Sequence, residues 1–383
     1  MNEDKATRYQ RLRRRAGLVS ALASLTVLLI AASAGLTGAT ARLADRLLHG
    51  DRLLNGDSSA ASAIALMLAA ALLVTLLHIV ALPFAAYREW LLDRRYGLER
   101  VTFAQWRRQY VSDTASAVLL ALAAAGLLRV SDVWLDAWWW LGFGAAAWAG
   151  QVLLTLATPW LLPWFLKMEP MGVPALTDRL QTLARRAGVS TLDVYRCHGG
   201  AAARRAQAAL VGLGRTRRVV LSDTLIGHCN PDEIEVIVAH ELGHVVHHDL
   251  WKGSIVTGLF ALAGLAIAQI ALTRWGAALA VLRPSDAAAL PWLLLTAGGW
   301  LTITRPLRLA WLRRHERRAD RFALRLTGNG EAFQTALRRL ASFNLVEDDP
   351  SAVGRWLSAH PPMRERLALA RSLHHQSSRP ASR

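Results

Sequence analysis

Six apolar runs set the limits on what this chain can become. They cover Leu18 to about Thr40, Ala60 to Ala86, Thr114 to Leu128, Trp138 to about Phe165, Ser254 to Leu272 and Ala287 to about Ile303. A helix needs about 20 apolar residues to cross the hydrocarbon of a bilayer, and most of these runs reach or approach that length. The first is too long for the apolar part of a cleaved signal peptide, so it reads as a retained span. The third is short unless Val130 to Leu135 extends it, with Arg129 snorkelling to the interface. Trp138, Trp139 and Trp140 suit the membrane–water boundary. His78, inside the second run, is either a functional intramembrane group or a satisfied, inward-facing histidine.

Hydrophobic residues make up 53% of the chain, as in a multi-span membrane protein. The formal net charge of +17 could signal nucleic acid, but the basic residues flank the apolar runs. That is the positive-inside pattern, and no helix-turn-helix or finger spacing accompanies it, so no nucleic-acid partner is expected. Basic stretches 1–17, 87–108 and 167–218 fall on one side, with Asp132 and Asp136 in a short loop opposite. Both termini and the region after the fourth run are therefore expected in the cytoplasm. Lys5, Lys167 and Lys252 are the only lysines in an Ala- and Arg-rich chain, the signature of a GC-rich genome. A bacterial inner membrane is the expected location. Cys197 and Cys229 have no metal or disulfide spacing and read as two unpaired thiols.

The chemistry is concentrated in His240-Glu241-Leu242-Gly243-His244. Residues four apart share a helix face, so His240 and His244 can ligate one zinc ion. Glu241 sits one residue round, placed to take a proton from the attacking water and return it to a leaving amine. Two surface histidines are the bland alternative, and the flanks argue against it. Asn230, Pro231 and Glu233 predict a capped helix start with a capping box. Ile234 to Ala239 is an apolar lead-in suited to a helix through a domain interior. His247, His248 and Asp249 read as a polar helix end, with Asp249 able to back a ligand.

Upstream, Asp178 to Ala187 is an amphipathic helix ended by Gly188, and Leu192 to Arg196 alternates like a strand. Gln207 to Val211 and Arg218 to Leu221 read as two more strands, joined around Gly212-Leu213-Gly214. A sheet edge there can bind an extended peptide by strand addition, and it makes Gln207, Ala208 and Ala209 the candidate substrate contacts. Downstream, Glu316 and Asp320 lie four apart in a basic helical stretch from Arg305 to Leu326. Alone this is a solvated charged helix. Beside His240 and His244, Glu316 can complete a three-ligand site and Asp320 can fix an imidazole tautomer. His360, held by Pro361 and Pro362, is suited to point at a developing oxyanion.

These pieces resemble the integral-membrane zinc metallopeptidases that include CAAX prenyl protease 1 and the related bacterial heat-shock membrane protease. The resemblance is carried by Asp93 to Leu98, Leu162 to Phe165, Ala208 to Gly214 with Arg218 to Leu225, and the pentapeptide. Arg313 with Glu316 to Asp320, and His360 to Pro362 with Glu365 to Leu367, complete it. It implies a mainly α, multi-span helical membrane protein with a gluzincin-type metalloprotease domain containing a small β-sheet. It implies one Zn2+ per chain on His240, His244 and Glu316, with Glu241 as general base, Asp320 behind a ligand and His360 on the transition state. Gln207 stands where the family usually has Asn, and Leu312 where it has Ser. Asp249 stands where the prenyl branch tends to have His.

The expected organisation is a basic tail over 1–17, a membrane region over 18–166 with about four spans, and a first catalytic part over 167–250. Two further spans over 251–305, a second catalytic part over 306–370 and a disordered tail over 371–383 complete it. The expected activity is zinc-dependent hydrolysis of peptide bonds in membrane-associated or prenylated proteins. Membrane-protein quality control is the alternative substrate class, and an inactive membrane scaffold the alternative role. The expected partners are a peptide or protein substrate and membrane lipid.

Overall fold

The computed structural model describes residues 4–40, 42, 59–98, 101–189, 192–198, 206–212, 214–279 and 281–377. Helix α1 (Lys5–Ser33) begins inside the basic segment, so residues 5–17 are the first turns of a long helix and not a separate tail. Lys and Arg are good helix formers, and nothing in the segment breaks the helix. Then come α2 (Ser59–Ala86), α3 (Phe103–Leu135) and α4 (Trp139–Phe165). At 28 residues, α2 is about 42 Å long at 1.5 Å per residue, enough to cross a bilayer. Helix α3 carries the third run to Leu135, as the extension past Arg129 requires. It starts at a Thr102–Gln105 capping box, and the short turn Asp136–Trp138 folds α4 back against it.

After the sheet described below, the metal-motif helix α6 (Pro231–Val246) leads into α7 (Asp249–Trp275) and α8 (Ala289–Ile303). Among the described residues, α1, α2, the α3–α4 pair and α7 have the length and apolar character of membrane spans, while α8 is shorter. Each of these helices packs on a neighbour in the order α1, α2, α3, α4, α7, α8, and α8 packs back on α1. The six close a ring. Leu18, Leu22, Leu25 and Leu29 form an exposed stripe along α1, which suits hydrocarbon and not water. His78 is satisfied: its Nδ1 lies 2.9 Å from the Val74 carbonyl, and its own carbonyl accepts from Tyr110.

The half of the chain after α4 holds a four-stranded sheet of β1 (Lys167–Pro170), β2 (Asp193–His198), β3 (Ala208–Val211) and β4 (Arg218–Ser222), in the order β1-β2-β4-β3. Strands β2 and β4 are parallel; β1 and β3 are antiparallel to their neighbours. Strand β1 has no alternation to reveal it and forms by pairing Lys167 to His198 through Pro170 to Tyr195. Helix α5 (Pro174–Arg186) ends near Gly188, whose φ of 78° lets the chain turn. Helices α9 (Arg305–Thr327), α10 (Gly330–Asn344) and α11 (Met363–Ser377) complete the domain. Leu180, Leu183, Val219, Leu221, Val238 and Leu242 are at most 1% exposed and form its core.

The expected disordered tail needs correction. Residues 371–377 continue α11, because Ala370 and its neighbours Leu367 and Leu369 pack into the core and carry the helix on. Residues 378–383, and Leu213 of the expected strand connection, lie outside the described residues.

Candidate metal centre

The metal-motif helix forms as its flanks predict. Asn230 Oδ1 accepts from the Glu233 backbone N–H, and Glu233 Oε2 accepts from the Asn230 N–H. Ile234, Val236, Val238 and Leu242 are buried, so the helix runs through the domain core. Gly243 allows α9 to approach: a Cβ there would lie 3.1 Å from the Ala319 Cα. That close crossing brings Glu316 beneath the two histidines.

Three side chains converge through four atoms. His240 Nε2 lies 3.3 Å from His244 Nε2, Glu316 Oε2 lies 3.6 Å from His240 Nε2, and Glu316 Oε1 lies 3.4 Å from His244 Nε2. Zinc bonds of about 2.0–2.2 Å in tetrahedral geometry imply ligand–ligand edges of about 3.3–3.6 Å. The triangle fits such an ion. Glu316 is 7% exposed, and its Oε2 has no hydrogen-bond partner. An orphaned buried carboxylate oxygen beside two imidazole nitrogens is a donor set waiting for a cation.

Each imidazole is backed by a buried acid. His240 Nδ1 lies 2.9 Å from Asp320 Oδ1, and His244 Nδ1 lies 2.9 Å from Asp249 Oδ2. Both contacts turn Nε2 toward the shared point. Asp320 is completely buried and held by Arg366, with Nε and Nη2 donating to its two oxygens at 2.8 and 2.6 Å. Asp249 also faces His315 Nδ1 at 2.5 Å. The Asp249 role was visible in sequence only as an option. His248 adopts φ 56°, ψ 36°, ends the helix and reverses the chain, so Asp249 comes back onto His244. Arg366 lies in the C-terminal motif, but nothing in the sequence pairs it with Asp320, and His315 carries no sequence signal of its own.

The charges follow this arrangement. Burial lowers the His244 pKa, but hydrogen bonds to Glu316 and Asp249 outweigh it and raise it to about 9. Burial raises Glu316, but the His244 hydrogen bond and the His240 and His360 charges bring it down to about 2. Burial pushes the Glu241 carboxyl up, with His240 and His244 opposing. A base with a raised pKa suits proton transfer near neutrality.

Glu241, His240, Glu316 and His360 line one cavity of about 470 Å³ with Gln207 and Ala208. His360 Nε2 lies 3.5 Å from Glu316 Oε2, and its side chain is 64% exposed. The loop that carries it is anchored by Arg313, whose Nη1 donates to the Ser358 carbonyl at 2.7 Å. Among the described residues strand β3 pairs only with β4, which leaves its other edge open there. Ala209 sits on that strand opposite Val220 but does not line the cavity. Cys197 and Cys229 are free and buried. His247 is tied to the Gly243 carbonyl and stands edge-on to Phe322, apart from the triangle.

The comparisons with known proteins cover most of the chain. The model of peptidase family M48 matches residues 173–374. The CAAX prenyl protease N-terminal model, described as five membrane helices, matches residues 2–167. The metalloprotease YhfN of Bacillus subtilis is 26% identical over 310 residues, covering 78% of this chain and 71% of that protein. A CAAX prenyl protease 1 homolog of Arabidopsis thaliana is 25% identical over 317 residues, covering 76% and 69%. The crystal structure of S. mikatae Ste24p shares the fold at 19% identity and a TM-score of 0.76, covering 96% of this chain and 87% of that one.

Proposed function

This chain belongs to peptidase family M48, and on that premise we propose that it is a zinc-dependent endopeptidase cutting membrane-associated proteins at the cytoplasmic face of a bacterial inner membrane. The chain is a membrane metallopeptidase like the CAAX prenyl proteases. The single observation that carries the zinc endopeptidase is the triangle of His240, His244 and Glu316, whose facing atoms lie 3.3–3.6 Å apart. These three residues would hold the ion. Bound there, zinc supplies Lewis acidity that makes water a nucleophile near neutral pH and polarises a carbonyl.

The remaining work falls to the chain. Glu241 takes the proton of the attacking water and delivers it to the leaving amine. Asp320 and Asp249 hold the ligand imidazoles in the tautomer that keeps Nε2 free. Arg366 keeps Asp320 ionised. His360, on the cavity wall, donates to the oxyanion as it forms. The open edge of β3 receives the substrate backbone, with Gln207 and Ala208 at the cavity end and Ala209 further along. Positive-inside charge supports the orientation. Prenylated CAAX-type proteins are the proposed substrates, after the names of the relatives, with misfolded membrane proteins the second class.

The test is cleavage of casein and of an isoprenylated peptide by the purified full chain in detergent. Both activities should vanish with ortho-phenanthroline and return with zinc. Full cleavage after complete metal removal would end this reading. A second expectation concerns Asp249. Changing it to Ala should weaken zinc binding roughly 10–100-fold, the usual effect of removing a ligand's hydrogen-bond partner. Competition against a chromophoric chelator measures it; an unchanged affinity would leave Asp249 only as an acid in the first turn of α7.

A further inference from the structure

The catalytic cavity has a wall that the metal chemistry does not use. One face of α10 lines it with Phe333, Ala336, Leu337 and Leu340, and ends at Asn344. Two arginines also line this cavity, Arg366 and Arg13. Arg366 is committed to Asp320 through two hydrogen bonds. Arg13 is half-buried and makes no hydrogen bond or ion pair among the described residues.

Its position is built and not incidental. Arg13 belongs to α1, 227 residues before His240, and reaches the cavity because α1 is clamped on both sides of it. Gln10 Nε2 donates to the Leu345 carbonyl at 2.8 Å. Arg14 makes a two-pronged pair with buried Glu347 at 2.8 and 2.9 Å. Tyr9, fully buried, donates to Asp93 at 2.5 Å. Glu347 is thereby taken by Arg14, and among the described residues no acid pairs with Arg13.

We infer that Arg13 is the anchor for a substrate carboxylate, an inference that rests on the peptidase reading of this cavity. A half-desolvated guanidinium against apolar side chains gains most from a two-pronged, charge-assisted pair, and a carboxylate matches its geometry. A peptide offers that group as its C-terminus or as an Asp or Glu side chain. The α10 face from Phe333 to Asn344 is about 16 Å long at 1.5 Å per residue. An extended peptide covers that in about five residues at about 3.3 Å each. A carboxylate held by Arg13 therefore sets the cut within about five residues of itself. Arg13 is a positioning residue: it selects and registers the substrate and leaves proton transfer to Glu241.

The test uses the purified full chain in neutral detergent and reads binding separately from cleavage. Probes are fluorescent peptides of one apolar sequence with a free C-terminus, with an amidated C-terminus, and amidated with one internal Glu. By anisotropy, the wild type should bind the free acid about tenfold more tightly than the plain amide, and Arg13→Ala should bind the two alike. Arg13→Lys should keep part of the preference. Retention of binding by the internal-Glu peptide would identify a side-chain carboxylate as the source; its loss would identify the C-terminus. Both results support the anchor. Equal binding of acid and amide by the wild type overturns it, as does a uniform weakening of every peptide by Arg13→Ala. Abolition of the preference by added phosphatidylglycerol would assign Arg13 to a lipid headgroup and also overturn it. All anisotropy arms carry Glu241→Gln, so binding is read without turnover, and failure of the peptidase reading shows in the cleavage assay while the anchor is judged on anisotropy.

Discussion

Replacing Glu241 with Gln should lower the cleavage rate by about 10²–10⁴-fold while leaving one zinc per chain. Gln keeps the size and polarity of Glu, and Glu241 is not one of the three converging residues, so the triangle of His240, His244 and Glu316 is untouched. What disappears is a base. Glu241 shares the cavity with His240 and Glu316, and burial raises its pKa toward the range where a carboxylate both accepts and returns a proton. Rates on casein paired with metal analysis of the same preparation decide the matter. A variant with wild-type turnover would remove Glu241 from proton transfer. A variant without metal would mean that the substitution had disturbed the ligands and not the base.

Much of this site is legible in the sequence because its determinants are local. The Asn230–Glu233 capping box, the four-residue spacing of His240 and His244, and that of Glu316 and Asp320 all follow from helix geometry. The six apolar runs announce their helices for the same reason. What escapes is set by tertiary packing. Strand β1 has no pattern of its own and exists because β2 offers an edge. Asp249 reaches His244 through the left-handed turn at His248, which no helix periodicity encodes. Arg366 finds Asp320 from a helix 46 residues away in sequence. The continuation of α11 past residue 370 depends on a core contact that composition cannot show. The largest gap is Arg13. In sequence it is one of a basic cluster before a membrane helix, and a positive-inside signal accounts for it fully. Only the clamp at Gln10 and Arg14 brings it to the cavity.

Removal of Glu316 should cost the ion itself. A zinc site in a folded protein has an apparent binding free energy of about 10–16 kcal/mol. If four ligands share it, losing one costs about 2.5–4 kcal/mol, or on the order of 10²–10³-fold in affinity. Glu316→Ala should therefore be isolated largely metal-free. A chelator lowers the melting temperature of a zinc-loaded protein by mass action, and it should have no such effect on the variant. The pH dependence gives an independent reading. In the metal-free wild type His244 holds its proton up to about pH 9. An entering ion must displace that proton, so zinc affinity should rise about tenfold from pH 7 to pH 8 and level off above pH 9. Glu316, brought down to about 2, is ionised throughout and adds no slope. In Glu316→Ala one of the two hydrogen bonds that hold the His244 proton is gone, so the slope should flatten at a lower pH even as the affinity falls. Full metal occupancy in the variant would remove Glu316 from the ligand set. A pH-independent affinity in the wild type would show that the metal-free site does not store the proton that its geometry assigns to His244.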